Sequence, residues 1–255
     1  MTTASAYRLP GNVLPLKYTL TLAPDLIGFT FSGEETVDIQ VTETTNRIAV
    51  NAIELQISDV QLTLEDDASL PAQDISLDED SETATFTFGR DIPPGNAALH
   101  IRFTGTLNDQ LRGFYRSQYT NTEGQERYLA TTQFEATDAR RAFPCWDDPA
   151  VKAIFQVTLV IPSDLVAISN TMIETEPPQD GDTKAVKFAE TPKMSTYLLA
   201  FLVGDFASVE QMTPNGTLMR VWATRGKEEQ GRFAVENAVG LLTYLNDYFG
   251  IDYPL

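Results

Sequence analysis

Histidine and cysteine are almost missing from this chain: each occurs once in 255 residues. One histidine, His100, cannot build a zinc site that needs two histidines of the chain, and the His-Glu-x-x-His helix of metalloproteases is excluded with it. One cysteine, Cys145, cannot close an intramolecular disulfide, which suits a reducing compartment. Without a convincing histidine partner it also makes a poor nucleophile and reads as a buried packing residue. Basic residues are scarce, 18 against 36 acidic ones, for a formal net charge of -18 at pH 7. A chain of that sign lacks the basic face that nucleic acid or an anionic membrane surface requires, whereas a cationic ligand is tolerated. No stretch approaches the roughly 18 apolar residues of a membrane span. Met1 to Tyr7 carries neither the basic nor the apolar segment of an export signal, so the expected location is the cytoplasm. The Gly-x-Ser-x-Gly elbow, the Walker loop and the dinucleotide fingerprint are all absent.

What is present is the material of a folded β-rich protein, with 42% hydrophobic and 21% charged residues. Apolar and polar residues alternate at period two in Tyr18–Leu22, Val37–Val41, Val60–Leu64, Ala84–Phe88, Leu99–Phe103 and Phe155–Ile161. That is the pattern of half-buried strands. Proline and glycine punctuate them with no long helical stretch between, so antiparallel sheets are expected rather than βαβ units. His100 shares a strand face with Arg102 and is expected to face solvent. The continuous apolar run Tyr197–Val203 predicts a strand buried on both faces. Glu65-Asp66-Asp67 and Asp78 to Glu82 read as solvated loop tips. Glu174 to Thr183 reads as an exposed loop, and Asn215-Gly216 as a hairpin turn. Near the end, Val235, Ala238, Leu242, Leu245 and Phe249 recur at steps of three and four, which predicts an amphipathic helix from about Lys227 to Phe249. Gly250 supplies its stop, with Pro254 shortly beyond.

The segment Thr131 to Pro149, TTQFEATDARRAFPCWDDP, departs from this pattern. If Thr132-Gln133-Phe134-Glu135 is extended, Gln133 and Glu135 project together while Phe134 points into the domain. A carboxylate beside an amide is equipment for holding a cationic amine with directed hydrogen bonds; a strand edge facing solvent accounts for the same residues. Arg140 and Arg141 lie close in sequence to Asp138, Asp147 and Asp148, which predicts an internal ion-pair network. Trp146 and Phe143 read as core anchors of the bend.

These residues resemble the zinc aminopeptidases of the puromycin-sensitive and alanyl aminopeptidase family. The resemblance rests on Arg8 to Leu26, on Gly113-Phe-Tyr-Arg-Ser117 and on Thr132 to Pro149. It continues through Met194 to Phe201 with Gly204-Asp-Phe206, Arg225-Gly-Lys227 and Tyr248 to Leu255. It implies a saddle-shaped antiparallel β-sandwich domain over residues 1–216. The strand and helix over 217–255 would then begin a truncated thermolysin-like α/β catalytic domain. In that family the Gln and Glu of the Thr-Gln-x-Glu segment line the first substrate pocket, the Glu binding the free α-amino group of the peptide; they map onto Gln133 and Glu135. Two histidines and a glutamate hold the zinc there, and another glutamate is general base. None of these lies in 1–255, so zinc is implied for the parent protein, and this piece alone is expected to be inactive. The implied partners are peptide N-termini and the missing catalytic domain. A non-enzymatic β-sandwich module binding a basic partner is the alternative that the residues themselves leave open.

Overall fold

The computed structural model describes residues 8–253, so Met1 to Tyr7, Pro254 and Leu255 lie outside the described residues. Ten strands come first, and burial alternates along several of them. They are β1 (Val13–Asp25), β2 (Thr30–Val41), β3 (Thr45–Asn51), β4 (Gln56–Leu64), β5 (Ser69–Asp78), β6 (Thr83–Ile92), β7 (Gly95–Thr106), β8 (Gly113–Thr120), β9 (Glu126–Gln133) and β10 (Lys152–Pro162). Shorter strands follow: β11 (Val166–Ser169), β12 (Ile173–Thr175), β13 (Pro178–Gln179), β14 (Thr183–Phe188), β15 (Met194–Ser195) and β16 (Phe201–Gly204). The chain closes with β17 (Phe206–Met212), β18 (Leu218–Thr224) and one α-helix, α1 (Arg232–Phe249).

The protein is mainly β, and the chain divides into two compact units. The first comprises residues 1–117, 130–163 and 167–203. Its main sheet runs β12-β14-β10-β1-β2-β7-β4-β5-β6-β3 and is antiparallel except at one place. There β1 and β10 pair in parallel, from Lys17 opposite Ile154 to Leu22 opposite Leu159, without a helical crossover. The inward positions of β1, Tyr18, Leu20 and Leu22, are fully buried, as are Phe155, Leu159 and Ile161 of β10. That is the core face expected from period-two alternation. His100 is half-buried on β7 opposite Thr36, whose Oγ1 lies 3.3 Å from its Nδ1, so its role is to tie β7 to β2. Glu35 breaks the pattern. It points into the core from β2, between Leu20 of β1 and Ile101 of β7, with neither carboxylate oxygen hydrogen-bonded among the described residues. Burial pushes its pKa well above the ordinary carboxylate range.

A chain of aromatic rings runs through this core. Phe155 stacks on Tyr18 at 4.8 Å, and Tyr18 meets Phe143 edge-on at 5.9 Å. Phe143 touches Phe134 at 6.0 Å, Phe134 touches Phe201 at 5.8 Å, and Phe114 links Phe201 to Phe31. Tilted and edge-on contacts are the favoured arrangements for such rings. The run Tyr197–Val203 is not one strand. A 3₁₀ turn over Thr196–Leu198 leaves Leu198 48% exposed, and only Phe201–Gly204 is extended. Glu174 to Thr183 is exposed as expected, apart from Thr183, and carries short strand pairings to β14.

The second unit gathers 118–129, 164–166 and 204–255. Here β17 and β18 form a hairpin with Val209 opposite Val221, and its turn is closed by Thr217 N–H donating to Thr213 Oγ1 at 2.8 Å. Asn215-Gly216 sits at the tip, with Gly216 at φ +92°, as a hairpin turn requires. The expected division between residues 216 and 217 falls at this turn. α1 packs on the hairpin. It begins at Arg232, because Glu228–Gly231 form a 3₁₀ turn, and Gly250 at φ +66° ends it by donating to Asn246 O. Val235 and Asn246 are buried on the packed face, whereas Leu245 and Phe249 of the expected stripe are exposed at 42% and 66%. They belong to a second apolar face with Phe233, Leu241, Tyr244 and Tyr248.

Candidate functional site

The site grows from the end of β9. Thr131 and Ala130 pair with Leu202 and Val203 of β16, and Phe201 N–H donates to Thr132 Oγ1 at 3.1 Å. These bonds fix the strand up to Gln133. The strand stops there and a turn follows, closed by Asp138 N–H donating to Phe134 O at 2.9 Å. Phe134 is 2% exposed and anchored between Phe143 and Phe201, so its neighbours in sequence are forced outward. Gln133 and Glu135 are both exposed, and Gln133 Nε2 donates to the Glu135 backbone oxygen at 3.4 Å. The expected juxtaposition is therefore present, although Glu135 stands on the turn and not on the strand. The Glu135–Ala136 peptide bond is cis. Glu135's carboxylate forms no hydrogen bond or ion pair among the described residues.

The arginines that follow face inward. Arg140 Nε donates to Asp147 Oδ2 at 2.9 Å and its Nη1 to Glu82 Oε2 at 2.9 Å. Arg141 Nε donates to Asp138 Oδ1 at 2.8 Å. Its Nη1 lies 2.6 Å from Glu54 Oε1, a close ion pair too bent for a regular hydrogen bond. Burial works to lower the pKa of Arg141, but the hydrogen bond to Asp138 and the charge of Glu54 outweigh it, so the guanidinium is held charged. At Asp147 the balance goes the other way: burial raises its pKa above the ordinary value and Arg140 offsets only part of that. The ion-pair network expected from sequence thus exists with Asp138 and Asp147. Asp148 pairs instead with Arg8, at 3.3 Å. Glu82, read as part of a solvated loop tip, is a correction: it spans both arginines. Glu54 had no role in the sequence reading. Both partners are far from the arginines in sequence, and no local pattern marks them out.

Room for this packing comes from Gly113. At φ +65° it adopts the left-handed region, and a Cβ there would stand 2.7 Å from Arg141 Cβ. The bend after the arginines is pinned as well. Asn51 exchanges backbone hydrogen bonds with Cys145 and accepts from Asp147 N–H at its side chain, while Tyr18 Oη accepts from Trp146 N–H at 3.1 Å. Phe143, Cys145 and Trp146 are buried, as read from the sequence. A cleft of about 430 Å³ opens beside the turn, lined by Arg8, Asn51, Thr137, Arg140, Asp147 and Asp148. Its charges are paired with one another, Arg8 with Asp148 and Arg140 with Asp147, and Glu135 does not line it.

The family model for the peptidase M1 N-terminal domain matches residues 14–198. The chain belongs to the peptidase M1 family. Among its relatives, aminopeptidase M1-B of Oryza sativa subsp. japonica is 46% identical over 97% of this chain. Puromycin-sensitive aminopeptidase of Caenorhabditis elegans and alanine/arginine aminopeptidase of Saccharomyces cerevisiae (strain ATCC 204508 / S288c) are each 41% identical over 97% of it. The chain spans 28%, 26% and 29% of the lengths of these M1 relatives, respectively. Among the described residues no group of three or more His, Cys, Asp and Glu side chains could hold a metal ion, and His100 is committed to Thr36. The described residues therefore do not fit the zinc that the resemblance implies. No described helix is long and apolar enough to cross a membrane.

Proposed function

We propose that this chain is the N-terminal, substrate-registering part of a cytoplasmic zinc aminopeptidase that removes N-terminal residues from peptides. The observation that carries the reading is an exposed Glu135 carboxylate without a partner among the described residues, held beside Gln133 on a turn fixed from both sides, in a chain whose relatives are named aminopeptidases. An exopeptidase has to tell a chain end from a mid-chain amide, and only the end carries a charged amine. The carboxylate of Glu135 supplies the counter-charge, and the Gln133 amide adds a directed hydrogen bond. Zinc and the groups that activate water belong to sequence outside these 255 residues, so this piece alone is inactive. The remainder of the longer protein covers the second apolar face of α1, where Phe233, Tyr244 and Tyr248 stand exposed.

The test is Glu135→Ala in the full-length enzyme, assayed on an aminoacyl chromogenic substrate. Losing one partner of a desolvated charge pair should lower kcat/KM by about 2 to 4 kcal/mol in transition-state terms. Unchanged kinetics would return Glu135 to a solvent-facing structural role, and zinc-dependent turnover by the 255-residue piece would refute the division of labour.

A further inference from the structure

We infer that Glu54, from the connection between β3 and β4, and Glu82, from the β5–β6 hairpin tip, are positioning residues for the Glu135 turn, acting through Arg140 and Arg141; the inference rests on Glu135 being the amine-binding carboxylate. The path from these loops to the turn is short. Asp138 closes the turn that carries Glu135, through its N–H bond to Phe134 O. Its side chain accepts from Arg141 Nε at 2.8 Å, so the attitude of the turn follows the attitude of that guanidinium. Glu54 holds Arg141 from one side at 2.6 Å. Glu82 holds it at 3.4 Å with Oε1 while its other oxygen takes Arg140 Nη1 at 2.9 Å, so one carboxylate fastens both arginines. Arg140 is then tied onward to Asp147.

Three features separate this arrangement from ordinary surface pairs. The arginine side chains are only 12% and 9% exposed, so their orientations are set by packing as well as by charge. Main-chain bonds tie the two loops to each other and one of them to the arginine segment: Ala52 N–H donates to Glu82 O at 3.0 Å and Ile53 N–H to Arg140 O at 3.1 Å. Glu54 and Glu82 both occupy left-handed backbone positions, φ +59° and +52°, which disfavour a glutamate. Backbone strain of this kind persists where the surroundings over-determine it, and here each strained residue aims a carboxylate at the arginines. Half-exposed acids of this sort add little to stability. Orientation is a different matter, because a substrate clamp displaced by about 1 Å can lose up to about a hundredfold in rate.

The test is a pair of double-mutant cycles in the full-length enzyme. Glu82→Gln and Glu54→Gln are each made in the native and in the Glu135→Ala background, with kcat and KM measured on an aminoacyl p-nitroanilide and melting temperature recorded. In the native background each substitution should lower kcat/KM by about tenfold, and in the Glu135→Ala background by less than about twofold, because the turn no longer carries what it positions. Equal losses in both backgrounds, or no loss in the native one, would overturn the positioning role while leaving Glu135's role intact. If Glu135→Ala itself changes nothing, the amine-binding reading fails and this inference with it. Should Glu82→Gln not fold, Glu54→Gln decides, since Glu54 is about half exposed at the rim of the network.

Discussion

Glu35 offers a measurable consequence of a core that contains one group of the wrong kind. Its carboxyl is 1% exposed, faces Leu20 and Ile101, and finds no hydrogen-bond donor among the described residues. The titratable groups coupled to it are Tyr18 and Cys145; burial pushes the pKa of each well above its ordinary value, so both stay neutral at physiological pH and neither supplies a cation. Glu35→Leu replaces the carboxyl with an apolar group of similar volume between two aliphatic neighbours. Removing an unsatisfied buried polar group should raise stability by about 1 to 3 kcal/mol at pH 8. The sign with pH follows from linkage. A carboxyl whose folded pKa lies above its unfolded value holds its proton more tightly when folded. The charge-burial cost is therefore absent in acid below its ordinary value of 4.5, grows as pH rises above that value, and levels off beyond the raised folded value. The gap between variant and native protein should widen from pH 4 to pH 8. The assay is urea unfolding followed by Trp146 fluorescence in a Trp222→Phe background, which leaves the reporter buried in the same unit as Glu35. A gap independent of pH, or a variant less stable than the native protein at pH 8, would refute the reasoning.

Three further expectations follow from the same packing. Gly113→Ala forces a side chain into a left-handed position against Arg141, and should cost about 1 to 3 kcal/mol in chemical unfolding, whereas an exposed glycine at φ +72° such as Gly181, with open space around it, should cost less. Phe134→Ala removes the anchor beneath the Gln133–Glu135 pair; it should lower stability by about 3 to 5 kcal/mol by the same unfolding measurement, with protease cleavage in the turn rising in parallel. Cys145 is fully buried and its thiol pKa is pushed up by burial, so iodoacetamide should label it only after denaturant is added; labelling of native protein at pH 8 would contradict the packing.

Period-two alternation made the long strands legible because each has one wet and one dry face, and Tyr18–Leu22 and Leu99–Phe103 read correctly for that reason. The same logic located Gln133 and Glu135, since Phe134 had only one place to go. It failed where burial is set by distant neighbours. The apolar run at Tyr197 holds enough hydrophobic residues for a strand, yet a 3₁₀ turn intervenes. In α1 two apolar faces overlap in sequence, and the packed one contains Asn246 where the periodicity favoured Leu245. The acids Glu228 and Glu229 look like a helix's first turn but sit in the 3₁₀ turn before it. Partnership of Glu54 and Glu82 with Arg140 and Arg141 was invisible, because no local pattern records which acid in a surplus will meet a given arginine across the fold.

The parallel pairing of β1 with β10 also bears on how the chain assembles. Lys17 meets Ile154, a separation of 154 − 17 = 137 residues, whereas β1 and β2 are joined by a short turn. Contacts of such long range make folding slow, and during synthesis from the N-terminus the outer edge of β1 has no strand to pair with until β10 has left the ribosome. The nascent chain therefore carries an open, apolar-faced edge while the strands from β2 to β9 are being made, and that interval is when it is most exposed to pairing with the wrong strand.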